Sequence, residues 1–142
     1  MSSYGYSYVF FGWKGKQSAE SALTALLAAP TTLPTDFDED EYDEPPELDG
    51  LRKQLKAWHR NNKGLPKLTI QLVSPGLDHE NVYLLKLKVP LDIENGSDGP
   101  HDLSCARISL TQLDKSIAAA ERFAAETGVS PALISAASND RK

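Results

Sequence analysis

Apolar positions along the chain change spacing from every second residue to every third or fourth and back, and these changes of period outline the elements. Residues 4–13, YGYSYVFFGW, are rich in aromatic and β-branched side chains and predict an opening strand, punctuated by Gly12 and Gly15. Ser18 then offers an N-cap, and Ala19, Leu23, Leu26 and Leu27 follow at helical spacing up to Ala29, where Pro30 and Pro34 close the helix. A second helix is predicted over 47–61. Leu48, Leu51, Leu55 and Trp58 form its core stripe, Arg52, Lys56 and Arg60 a solvent-facing one, and Gly64 and Pro66 end it. Leu68, Ile70 and Leu72 alternate with Thr69 and Gln71 in a half-buried strand. Tyr83, Leu85, Leu87 and Val89 alternate with Leu84, Lys86 and Lys88 in the next, and Pro75-Gly76 suits a longer hairpin loop between them.

Pro90 is expected to end that strand, and Asn95-Gly96 and Gly99-Pro100 carry turn chemistry. Residues 103–108 are a weakly alternating candidate for a further strand. Ser109 and Gln112 form a capping box that opens the longest helix, to about Thr127, with Leu110, Leu113, Ile117, Ala120 and Ala124 inward and Gly128 as C-cap. Ser130-Pro131 predicts a short helical turn through Ala137, and 139–142 a loose tail. The expected order is β-α-(acidic loop)-α-β-β-β-α. Successive strands on short connections predict an α+β fold, an antiparallel sheet of three to four strands with helices packed on one face. The expected organisation is one domain over 1–138 with an acidic loop at 31–46, and neither an internal repeat nor a heptad run is present.

Composition agrees: 142 residues with 40% hydrophobic and 25% charged side chains are enough for one core without a staple. The lone Cys105 cannot form an internal disulfide. The opening residues lack the basic start and long apolar run of a signal peptide, and no stretch approaches the roughly 20 apolar residues that span a bilayer. These features predict a cytoplasmic protein with no membrane partner.

Charge changes the picture more. The net charge is −5, yet nine carboxylates and no base lie within 36–49, which leaves eleven acids against fifteen bases elsewhere. Six of those bases, Arg52, Lys53, Lys56, Arg60, Lys63 and Lys67, occupy a stretch without an acid. Capping a helix N-terminus needs two or three acids, each worth about 0.3–1 kcal/mol. Nine exceed that need, and the surplus repels itself unless something basic lies opposite. Four of the acids, with Glu47, fall at 1, 3, 5, 9 and 12 of a calcium-loop spacing, but Glu41 stands where that loop needs glycine and Pro45 and Pro46 break its end. No metal and no cofactor are therefore expected.

Catalytic chemistry is sparse. His59 falls mid-helix, His79 and His101 fall in polar turns, and none is spaced with Cys105 as a zinc ligand. Asp78-His79-Glu80 consists of ordinary turn residues. The basic turn 12–18, GWKGKQS, lacks the glycine spacing of a phosphate loop and reads as a surface turn. Residues 4–11, YGYSYVFF, resemble the RNA-recognition octapeptide of the RRM family at Gly5, Tyr6, Tyr8, Val9 and Phe11. Tyr4 stands there for a basic residue and Ser7 for a small one. In that family the octapeptide lies on the third strand, and here it lies on the first, so the expectation is an aromatic strand with one face in the core.

The expected function is thus a non-enzymatic protein-binding module, an inhibitor or immunity-type antagonist that engages a basic, nucleic-acid-handling protein. The expected contacts are Asp36, Asp38, Glu39, Asp40, Glu41, Asp43 and Glu44, with Tyr42 among them. The expected partner is therefore a protein and not a nucleic acid; direct nucleic-acid binding through the aromatic strand and the basic helix is the alternative, and an enzyme with an unrecognised site is a third reading.

Overall fold

The computed structural model describes residues 5–34, 45–73, 82–95 and 109–139. Five strands and three helices follow in the order β1 (Gly5–Lys14), α1 (Lys16–Leu27), α2 (Glu47–Arg60), β2 (Leu68–Val73), β3 (Val82–Leu87), β4 (Asp92–Asn95), α3 (Leu110–Thr127) and β5 (Ala132–Asn139). The expected α+β architecture and antiparallel sheet are present.

The aromatic strand β1 is central. Its residues Gly5 to Gly12 pair with β5 along one edge. Tyr8 also pairs with Glu94 of β4, and Gly12 with Lys86 of β3, so β3 and β4 share the opposite edge. β2 lies on the far side of β3, and every pairing is antiparallel. Between the Gly12–Lys86 and Phe10–Asp92 pairs, β1 advances two residues while its partner advances six. The excess forms an excursion over 88–91, and α3 holds it in place. Gln112 Nε2 donates to the Pro90 carbonyl at 2.6 Å, and the Leu91 amide donates to Ser116 Oγ at 2.9 Å. β3 thus ends just before Pro90, as expected, and residues 92–95, expected to lead into turns, return as a separate strand to pair with β1. The 74–81 connection and the candidate strand at 103–108 lie outside the described residues.

Period-two alternation puts Val9, Phe11 and Trp13 of β1, Leu68, Ile70 and Leu72 of β2, and Tyr83, Leu85 and Leu87 of β3 on the face covered by the helices. Leu23, Leu48, Leu51, Leu55 and Phe123 meet them there. Trp58 packs at the margin, its ring 5.8 Å from that of Phe123. On the other face Tyr8, Phe10 and Leu84 form a second buried cluster, so β1 is buried on both faces, where one was expected.

Four local expectations are corrected. α1 begins at Lys16 rather than after Ser18. Gly15 takes a backbone conformation open to glycine (φ 98°), and its amide donates to the Tyr83 carbonyl at 2.8 Å, turning the chain directly from strand to helix. Residues 132–139 are strand where a helical turn was expected, because an eight-residue ladder on the open edge of β1 outweighs the helix preference of its alanines. The buried face of α3 runs through Ser116, Ala120 and Phe123, while Leu110 and Ile117 are 78% and 39% exposed. Arg52 does not point to solvent. It is half-buried and donates twice to the Ile70 carbonyl, at 2.8 and 3.3 Å.

Candidate functional site

The described surface around the acidic segment is built by its two ends. On the entering side Leu33 is 2% exposed. Its amide donates to the Glu20 carboxylate at 2.6 Å, and the Pro34 carbonyl accepts from the Tyr83 hydroxyl at 2.8 Å. On the leaving side Pro45 is buried, and its carbonyl accepts the Leu48 amide at 3.0 Å, closing the first turn of α2. A cleft of about 340 Å³ separates residues 30–34 from the first two turns of α2, with Glu47, Leu48 and Gln54 on its wall. The predicted contacts themselves, Asp36, Asp38, Glu39, Asp40, Glu41, Tyr42, Asp43 and Glu44, lie outside the described residues.

Glu20 is the hinge pin of the entry. The Leu33 amide hydrogen bond holds its carboxyl below the usual value of 4.5, burial opposes this, and Lys16, 2.9 Å away, adds to it. A carboxylate with a depressed folded pKa contributes stability above its unfolded pKa and loses it as pH falls through the folded one. Replacing Glu20 by Gln should therefore cost on the order of 1 kcal/mol near neutral pH. That difference should begin to shrink as pH falls to about 4.5 and vanish only below the depressed folded value. Urea unfolding of both proteins across about pH 3 to 7 checks this, and a pH-independent difference contradicts it.

Basic side chains divide into two groups. Lys16, Arg52, Lys86 and Arg122 engage Glu20, Asp49, Asp92 and Glu126. Among the described residues, Lys14, Lys53, Lys56, Arg60, Lys63, Lys67, Lys88 and Lys115 are exposed and make no ion pair, and five of them fall between Lys53 and Lys67. His59 is occupied, with Nε2 3.0 Å from the Leu65 carbonyl, where it closes the turn after α2.

Lys86, like Arg52, is a charged residue that sequence reasoning placed wrongly. Strand alternation counts it as a polar position on a solvated face, but it is 4% exposed. Its ammonium lies 5.3 Å from the centre of the Phe10 ring and 3.4 Å from Asp92 Oδ1. The only sequence signal is its place between Leu85 and Leu87 in an otherwise apolar strand.

In the turn 12–16 the Gly15 amide is used by the sheet and Lys16 by Glu20, as suits a surface turn rather than a phosphate cradle. Tyr8 and Phe11 of the RRM-like octapeptide are 3% and 6% exposed, so neither presents a ring for base stacking. Among the described residues no group of three or more His, Cys, Asp or Glu side chains comes together. Cys105, His79 and His101 lie outside them. No described helix is long and apolar enough to cross a membrane. No protein-family model matches the chain, and no curated protein or solved structure matches it.

Proposed function

We propose that the chain is a non-enzymatic, cytoplasmic protein-binding module whose acidic segment engages the basic surface of a nucleic-acid-handling protein, in the manner of an inhibitor or immunity-type antagonist. The observation that carries this reading is the anchoring of a segment so rich in one charge. Seven carboxylates and no base fall within residues 35–44, and the chain on either side is pinned, at Leu33 and Pro34 and again at Pro45. Fixed ends lower the ordering cost of binding, and concentrated charge of one sign accelerates encounter with the opposite sign by about 10- to 1000-fold. The exposed lysines of α2 make no ion pair among the described residues. Tyr42 supplies an aromatic side chain of the kind that anchors interface centres.

The test combines capture of the partner from the source cell with association kinetics on the purified pair. Changing Asp38 and Asp40 to Asn and Glu39 and Glu41 to Gln together should slow association at least tenfold at low salt. The dissociation rate should change little, and the effect should fade as the Debye length shrinks from about 30 Å at 0.01 M to about 3 Å at 1 M salt. The variant should melt no earlier than the parent. Unchanged association at low salt with an earlier melt would assign the acids to internal pairing and overturn the proposal.

A further inference from the structure

The exposed basic face of α2 supports an inference separate from the acidic segment: we infer that Lys53, Lys56, Arg60, Lys63 and Lys67 form a docking surface for the phosphodiester backbone of a nucleic acid. At about 100° per residue, Lys53, Lys56 and Arg60 fall within about 60° of one another, on the face opposite the buried Leu48, Leu51 and Leu55. They span about 10 Å along the axis, about three base-pair rises of a B-form duplex at about 3.4 Å each. Lys63 and Lys67 continue the surface beyond the helix, and exposed Lys88 lies beside it, its backbone amide donating to the Lys67 carbonyl at 2.8 Å.

Three observations favour this occupant. All five side chains are exposed, lack an ion pair among the described residues and are clustered within fifteen residues, whereas Lys14 and Lys115, also exposed without an ion pair, stand apart in sequence and Lys16, Arg52, Lys86 and Arg122 each meet a carboxylate. Complementing the helix dipole accounts for Arg60 in the last turn, but not for Lys53 and Lys56 nearer the start. The sequence between Asp49 and Asp78 contains no acid to neutralise them.

The chemistry beside the stripe also discriminates. Ala57 is the one apolar side chain within it, so the face lacks both the aromatic anchor of a protein interface and the inserting residues of a membrane-surface helix. Phosphate contacts need neither. Asp49, the nearest acid of α2, stands one turn before Lys53 and engages Arg52 at 3.7 Å. Lys56 and Arg60 lie about 10 Å or more along the axis from it, beyond the Debye length of about 8 Å in physiological salt.

The probe is a fluorescein-labelled mixed-sequence DNA duplex, titrated with the full chain and followed by anisotropy between about 50 and 200 mM salt. Five cations on phosphate should give a slope of log K against log salt of about −4 to −5, at about −0.9 per neutralised phosphate. Changing Lys53, Lys56 and Arg60 together to Gln should weaken binding at least tenfold at the lowest salt and flatten the slope by about 2 to 3. All three are exposed, so its melting temperature should match the parent's. The four-residue neutralisation at Asp38, Glu39, Asp40 and Glu41 should leave duplex binding intact or strengthened, which separates this inference from the preceding proposal. Equal affinity of the triple variant, or binding by the parent to phosphatidylserine vesicles without binding to the duplex, would overturn the inference.

Discussion

Replacing Phe123 by alanine is expected to lower stability by about 3–5 kcal/mol, the usual cost of emptying a fully buried aromatic site. Phe123 is 0% exposed and joins elements that have little other contact. Its ring lies 6.1 Å from that of Trp13 at the end of β1 and 5.8 Å from that of Trp58 in the last turns of α2, both tilted. Tilted pairs of this kind add about 0.5–1.5 kcal/mol each beyond their buried area. These are the only two tryptophans in the chain, so intrinsic fluorescence reads this junction directly. Thermal unfolding followed by tryptophan emission should show a midpoint about 10 °C or more lower, with a red-shifted native spectrum as both indoles gain water. Ile117→Ala is the comparison. Ile117 is 39% exposed on the same helix and should cost about 1 kcal/mol or less. Similar losses for the two variants would place the α3 core face where the aliphatic spacing puts it, and not where Phe123 does.

That pair of variants also marks where sequence reading failed. The positions Leu110, Leu113, Ile117, Ala120 and Ala124 form a good aliphatic stripe, and the observed face is rotated from it by most of one residue step. The rotation has two causes. Phe123 is the largest apolar side chain of the helix and fills the space between the two indoles. Ser116 enters the core because its hydroxyl accepts the Leu91 amide and donates to the Gln112 carbonyl at 2.9 Å, so a polar residue becomes a core residue by satisfying a strand excursion. No hydrophobicity pattern contains that information. The N-terminal signal was legible by contrast: Ser109 Oγ accepts the Gln112 amide at 3.0 Å as the capping motif requires. The Gln112 side chain, expected to fold back, is drawn to the Pro90 carbonyl instead.

The same division runs through the sheet and the site. β2, with its alternation, β3, with its apolar run, and the helix α2, with its leucine stripe, Glu47 and Asp49 in its first turn and Arg60 in its last, stand where local pattern puts them. β4 and β5 do not, because each exists by pairing with β1 and neither carries a strong strand signal of its own. Arg52 follows the same logic. Its helical phase points to the polar side, but a guanidinium on a long stem reaches across to a strand carbonyl that helical spacing cannot reveal. For function, the charge asymmetry was plain in the sequence. The structure adds how the residues flanking the acidic segment are held and which cations carry no ion pair among the described residues.

Replacing Gly12 by alanine should be the most damaging conservative change in the sheet. A Cβ there would lie 2.0 Å from the Leu85 carbonyl oxygen and 3.0 Å from both the Leu85 carbonyl carbon and Lys86 Cα. Comfortable C···O approach is about 3.3 Å or more, so β1 and β3 would have to separate by more than an ångström. All three atoms are backbone, so no rotamer change relieves the contact. Retreat is blocked on the other side, because Gly12 is paired with Lys86 of β3 and Ala132 of β5 together. Moving it breaks one ladder or strains the other, in the strand that every other ladder but β2's depends on. The expected loss is about 3 kcal/mol or more, at the upper end of overpacking costs. Gly50→Ala supplies the control, since a Cβ there meets nothing within 4 Å and lies in α2. That change should stabilise by about 0.4–1 kcal/mol. Urea unfolding of the two variants beside the parent should move the midpoints in opposite directions. A Gly12→Ala midpoint within about 1 kcal/mol of the parent would mean that β3 does not approach β1 as closely as this register requires.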